Sequence, residues 1–195
     1  AQPWPSFAIG YNPDKKPYPF DKEQAKKLIK EANYNGEELV YYSSSGRYLR
    51  DREMGEAIIT MWKDVGLNAK LVPLEYSKWL EIRRAIKPDQ EHPDITNICT
   101  SNEFGDASFF AKFMETGASL SFYSNKEADA LLKQAAAATG AERGKLYEKV
   151  WDMVYDDYYT IPIAYPAQIA GISDRIEWKP RIDSLFLLNE VAWTK

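Results

Sequence analysis

Apolar positions along this chain repeat with two periods, one helical and one strand-like, and they alternate in order. After Asp21, the segment KEQAKKLIKEA places Ala25, Leu28, Ile29 and Ala32 on one face. This predicts a helix capped by Asp21 and stopped at NYNG. ELVYYSS reads as a strand, rich in β-formers. In LRDREMGEAIITMWKDVG the residues Met54, Ala57, Ile58, Met61, Trp62 and Val65 recur at helical spacing, with Gly66 as the stop. NAKLVPLE predicts a second strand, which Pro73 assigns to a sheet edge or a bulge. YSKWLEIRRAI predicts a helix ending near Pro88, and DITNICTS a third strand.

The second half is richer in helix. SFFAKFMETG predicts one helix, and Asn125 caps another over KEADALLKQAAAAT. AERGKLYEKVWDMVYDDY follows Gly140, with Leu146, Val150, Val154 and Tyr155 as its apolar face. TIPIAYPAQIAGI predicts one or two buried strands. The last segment, EWKPRIDSLFLLNEVAWTK, carries an apolar run after Pro180 suited to pairing outside the compact part. At the other end, Pro3, Pro5, Pro13, Pro17 and Pro19 predict an extended start. The order αβαβαβ, then paired helices, then strands, predicts an α/β fold with a sheet flanked by helices.

Composition narrows the function classes. The chain has 195 residues, 45% hydrophobic and 28% charged, enough for a core without disulfide or metal staples. A net charge of −4 argues against a nucleic-acid surface. No apolar run approaches the roughly 20 residues that span a bilayer. One cysteine, Cys99, excludes an internal disulfide. Thirteen Tyr and six Trp supply contact area suited to a ligand or partner surface.

Most catalytic chemistries lack their residues. A single histidine, His92, and a single cysteine offer no CxxC or HExxH spacing, so no metal is expected. Cys99 lies in an apolar strand, and there is no G-x-S-x-G, Walker loop or GxGxxG. Carboxylates remain. Asp156 and Asp157 read as a solvated helix end. Glu103 and Asp106 flank a glycine just after the third predicted strand, where α/β sheets place ligands. Asp106 reads as an N-cap of ASFFAKF, and Glu103 as a residue facing a cleft. Trp79 reads as core or pocket wall. Arg83 and Arg84 read as a solvated face that is also able to meet a ligand carboxylate. Arg47 and Tyr48, after a strand-end glycine, are open between loop and ligand contact.

Five segments, in order, resemble one family. FDKEQAKKLIKEANYNG resembles the YDPEKAKKLLAEAGY segment of the family 5 extracellular solute-binding proteins, the dipeptide and oligopeptide receptors of ABC importers. RDREMGEAIITMWKDVGLNAKLVPLEYSKWLE resembles the helix, strand and Trp-bearing helix that follow there. HPDITNICTSNEFGDASFFAKFM resembles the DM…GW…D…DP…FL loop. SFYSNKEADALLKQA resembles YSNPEVDALLDEA, and AERGKLYEKVWDMVYDDYYTIPIAY resembles R..LY.EA..IL.EDAPYIPL. Together these cover roughly residues 15 to 170.

The resemblance implies a periplasmic-binding-protein-like lobe of type II, with a mixed sheet flanked by helices. Residues 1–175 would form the C-terminal lobe of a two-lobe receptor whose N-terminal lobe is absent, and 176–195 a tail returning toward that lobe. It implies binding without catalysis: two lobes close on a small solute, most readily a peptide, and the closed form docks on ABC permease subunits. Location would be the periplasm or the outer face of a bacterial membrane, touching the membrane only through the permease or a lipid anchor. No cofactor, metal or nucleic acid is implied. Glu103 falls at the position where peptide-binding members carry an acid that meets the ligand's amino group. Thr100, Asn102 and Phe104 share its loop, and Trp79 and Arg83 complete the expected ligand set. Thr100 and Ser101 replace the family's Trp, and Asp106-Ala107 its DP. A sugar, an opine or another polar solute therefore remains open, as do a sensor lobe of a transcription regulator and a carboxylate hydrolase.

Overall fold

The computed structural model describes residues 2–85, 95–98, 105–165 and 169–194. The chain divides into two compact units, one formed by 19–99 and the other by 1–18 with 100–195.

In the 19–99 unit, α1 (Lys22–Glu31) begins at Asp21, whose carboxylate accepts the Gln24 N–H. Its apolar face is only partly covered: Leu28 is exposed and no α1 residue is buried. Strand β1 (Leu39–Ser44) leads into α2 (Asp51–Asp64), β2 (Ala69–Leu74), α3 (Tyr76–Ala85) and β3 (Ile95–Thr96). The sheet order is β2-β1-β3 and every pair is parallel. Pro73 therefore sits on an edge strand, where its missing N–H costs no ladder bond. Side chains alternate, so Tyr41, Ala69 and Leu71 share one face of the sheet. There they pack with Ile58, Ile59 and Trp62 of α2. Gly55 lets α2 come down on this face, since a Cβ there would lie 2.8 Å from Leu71 Cδ1.

The chain leaves β1 for β2 on one side, then returns from β2 past β1 to β3. Crossovers of one hand made in opposite directions put α2 and α3 on opposite faces of the sheet. In sheets of this topology ligands bind beyond the carboxyl ends of the strands where the connections diverge, here β1 and β3.

The regular structure of the second unit is mostly helical: α4 (Ser108–Ala111), α5 (Lys126–Ala137) and α6 (Gly140–Asp156). Asn125 caps α5, accepting the Glu127 and Ala128 N–H groups. The buried face of α6 is Gly144, Tyr147, Val150, Trp151 and Val154. Leu146 and Tyr155, assigned to that face from the pattern, are half-buried beside it. The predicted SFFAKFMETG helix shortens to α4, after which turns bury Phe113 and Met114.

The proline-rich start is a pinned loop instead of an open extended arm. Trp4 is 1% exposed, donates its indole N–H to Gly10 O at 2.9 Å, and meets Trp151 edge-on. Ile9 pairs with the backbone around Asp106, and Gln2 and Asn12 exchange two hydrogen bonds. The pattern in TIPIAYPAQIAGI predicts buried strand, and here the structure differs. The described residues of that segment form no strand, and Ile161, Ile163, Ile169 and Ile172 are exposed. An apolar run supplies strand propensity, but a buried strand also needs a neighbour to pair with. In the tail, β4 (Ile176–Glu177) pairs antiparallel with β5 (Ala192–Trp193).

Candidate functional site

At the carboxyl edge of the parallel sheet several charged and aromatic side chains of the 19–99 unit come together. The loop after β1 is built around one carboxylate. Asp51, 3% exposed, accepts the Gly46 N–H at 3.0 Å and the Arg52 N–H at 2.9 Å on Oδ1. Its Oδ2 accepts the Arg47 and Tyr48 N–H groups at 3.0 and 3.1 Å, and the Ser44 hydroxyl lies 3.4 Å away. Burial alone would raise the pKa of this acid. The four backbone N–H bonds favour the charged form and hold the net value below that of a free carboxylate. Folding the loop onto Asp51 requires left-handed backbone at Gly46 (φ 78°) and at Arg50 (φ 54°). For an arginine this conformation costs roughly 1–2 kcal/mol.

That loop presents Arg47 to aromatic rings. Its guanidinium carbon lies 5.5 Å from the Tyr48 ring centroid and 5.2 Å from that of Tyr76, the first residue of α3. Tyr76 stacks on Trp79 at 5.5 Å, and the Arg83 guanidinium covers Trp79 at 5.6 Å. Trp79 donates its indole N–H to Thr96 Oγ1 at 3.1 Å, while Arg83 Nη1 donates to Asn97 O at 3.3 Å. Two guanidinium groups thus flank the stacked Tyr76 and Trp79 rings, from the loop after β1 to the end of β3. Guanidinium over an aromatic face is favourable by roughly 0.5–2 kcal/mol, more as water is excluded.

The residues singled out from sequence fall in two groups. Trp79 and Arg83 are 2% and 5% exposed and lie in the wall of this edge, tied to β3. Arg83 is therefore not on the solvated face the pattern suggested; only Arg84 is. Thr100, Asn102, Glu103 and Phe104 lie outside the described residues, as do His92 and Cys99. Asp106 is described and does more than the predicted cap: helical backbone already begins at Ala107, and Arg143 adds an ion pair to the capping bond. Asp106 accepts the Ser108 N–H at 2.8 Å and two bonds from Arg143. Asp157 is not merely solvated, for it accepts the Tyr123 hydroxyl at 2.6 Å.

Sequence reasoning passed over Asp51 and Tyr76. An acid in the first turn of a helix, directly after a Gly-containing strand end, was the available signal for Asp51. Among the described residues no group of three or more His, Cys, Asp and Glu could hold a metal ion. Among them, too, no helix is long and apolar enough to cross a membrane.

The model for "Bacterial extracellular solute-binding proteins, family 5 Middle" matches residues 1–119, well over half of the chain. The chain belongs to that family. Among similar proteins, heme-binding protein A of Haemophilus influenzae is 28% identical over 184 residues, covering 90% of this chain and 33% of the relative. The dipeptide-binding protein of Escherichia coli is 28% identical over 171 residues, covering 83% of this chain and 31% of the relative. Both are named for what they bind and neither for a reaction. The structure of HbpA2 from Haemophilus parasuis superposes with a TM-score of 0.79 at 23% identity. It covers 100% of this family 5 chain and 39% of the other. The fold is that of the type II periplasmic binding proteins. The chain spans about a third of the length of the curated relatives it matches.

Proposed function

We propose that this family 5 chain is the C-terminal lobe of a solute receptor that binds a peptide and hands it to an ABC permease. The observation that carries the reading is the cluster of Arg47, Tyr48, Tyr76 and Trp79 at the carboxyl end of the sheet, in a chain of this family. A surface of rings and cations suits a solute with apolar side chains and an anionic end.

In this reading, residues 1–175 form the lobe and 176–195 run toward a second, N-terminal lobe of the same receptor. Closure of the two lobes is a population shift driven by differential affinity for the closed state. No covalent step is involved, and the protein works in the periplasm or on the outer face of the membrane. Glu103 is the acid that would meet the ligand's amino group, and Thr100, Asn102, Phe104, Trp79 and Arg83 are the other residues of the proposed ligand set. A carboxylate on an ammonium in a dry cleft is among the strong charge-assisted bonds.

The test is calorimetry of the receptor carrying this chain against free-acid di- to tetrapeptides, with Glu103→Ala beside it. We expect binding, weakened by about tenfold or more, or 1.4 kcal/mol, in the variant. Peptides that bind both forms equally would remove Glu103 as the anchor. Sugars or opines that bind where peptides do not would replace the solute class.

A further inference from the structure

We propose that Asp51 is a positioning residue for the solute site: its buried carboxylate fixes the loop that carries Arg47, so that the guanidinium meets an anionic group of the solute. The inference rests on the proposed binding function and adds a residue to it.

Three observations converge. The Asp51 carboxylate takes the N–H groups of Gly46, Arg47 and Tyr48, three consecutive residues, as well as that of Arg52. Three consecutive N–H groups turned onto one carboxylate leave the loop few other conformations. The left-handed backbone at Arg50 has no glycine to make it easy, so it persists only where surrounding bonds over-determine it. Arg47 itself is exposed, yet it stands over two rings, Tyr48 and Tyr76. A long flexible side chain held in one place on a surface loses less freedom when it binds an anion. The same carboxylate bonds the backbone N–H of Arg47, and among the described residues no ion pair engages its guanidinium. Position is supplied and the positive charge is kept for a ligand.

The experiment compares wild type, Asp51→Asn, Arg47→Gln and the double variant in the receptor carrying this chain. The probe is a dipeptide library, offered once as free acids and once as C-terminal amides. Asparagine keeps the shape but replaces an acceptor oxygen with an NH2 group facing N–H donors. We expect Asp51→Asn to weaken free-acid binding by about tenfold or more while changing amide binding little. In the Arg47→Gln background it should have no further effect on free acids. Equal losses for acids and amides, or losses that add to those of Arg47→Gln, would mean Asp51 only supports the fold and would overturn the proposal.

A second arm reads position directly. Nuclear Overhauser contacts between the Arg47 side chain and the Tyr76 ring should be present in wild type and lost in Asp51→Asn. If wild type binds neither library, the peptide reading falls and this arm alone decides the role of Asp51. Loss of the contacts upholds it and their persistence overturns it.

Discussion

The Arg143 guanidinium holds the Asp106 carboxylate with two hydrogen bonds, Nε to Oδ2 at 2.8 Å and Nη2 to Oδ1 at 3.1 Å. Arg143 also bonds Ala135 O and lies over the Tyr147 ring, so one side chain ties α5, α6 and the Asp106 turn together. Both partners are largely buried, with side-chain exposures of 18% and 17%. Removing one therefore strands the other. We expect Arg143→Met or Asp106→Asn alone to cost about 3 kcal/mol, the low end for a broken buried pair. The double variant should cost less than the sum. Urea unfolding of all four proteins gives the coupling.

The same pair sets a dependence on acid. Burial raises the Asp106 pKa, but the Arg143 and Ser108 bonds outweigh it and hold the value below 3.8. A carboxyl with a depressed folded value binds protons more readily when unfolded. Its stabilisation is complete above the unfolded value of 3.8 and is lost as pH falls through the folded one. Asp51 acts in the same direction. Between pH 5 and pH 2, roughly the range over which paired carboxylates take up protons, wild type should lose more stability than Asp106→Asn. Unfolding midpoints measured across that range test this.

Gly55 is where α2 meets the sheet. A Cβ there would lie 2.8 Å from Leu71 Cδ1 and 3.5 Å from Tyr41 Cε1. Alanine brings better helix propensity, worth up to about 1 kcal/mol, against overpacking that costs about 1–3 kcal/mol. Gly55→Ala should thus destabilise by about 1 kcal/mol, the difference between those two effects, and Leu71→Val should relieve part of that loss. A thermal-unfolding double-mutant cycle showing no coupling would contradict the contact.

How much of this was legible follows from which interactions are local. Asp21 and Asn125 sit next to the N–H groups they cap, so both helix starts could be read from a few residues. Pro73 could be narrowed to an edge or a bulge because a missing N–H restricts a strand wherever it lies, and it stands on an edge. Asp106 shows the opposite. Its main partner is 37 residues away, and a local rule sees only the cap. Trp4 likewise reads as part of a proline-rich arm, whereas Trp151 and Gly10 bury it. The candidate site was half legible. Strand-end logic singles out Arg47 and Tyr48, which the structure sets against Tyr76, but nothing beyond its place in a first helical turn marks Asp51 as the acid organising that loop.

Gly10 and Gly36 separate packing from backbone strain. The φ of Gly10 is 97°, and a Cβ would come within 3.0 Å of Ala107 Cβ and 3.1 Å of Tyr147 Cβ. Both are the roots of side chains and cannot swing aside. Gly36 has a similar φ of 87° but open space around it. Gly36→Ala should therefore cost only the backbone strain, about 1–2 kcal/mol. Gly10→Ala adds overpacking of about 1–3 kcal/mol. It should also speed protease cleavage within residues 2–18, while Gly36→Ala should not. Equal effects of the two variants in unfolding and proteolysis would show that the loop is not seated on Ala107 and Tyr147.

Tyr18, Tyr41 and Tyr123 set a limit on the alkaline side, each pushed up from 10.0 to about 12. Burial is the first cause in all three. For Tyr18 the neighbouring Tyr155, Tyr158 and Asp156 add to it, and for Tyr123 the hydrogen bond to Asp157 does. A phenol whose folded value is raised stays neutral in the native state while the unfolded chain ionises. The stabilisation is fully present below pH 10.0 and is lost as pH rises toward 12. Ultraviolet titration should show a late class of tyrosines that ionises together with unfolding. Tyr123→Phe should remove one member of that class and, by losing the Asp157 bond, cost about 1–2 kcal/mol at neutral pH. If the variant instead leaves both the late class and the neutral-pH stability unchanged, the Tyr123–Asp157 bond contributes nothing to holding the end of α6 against the start of α5.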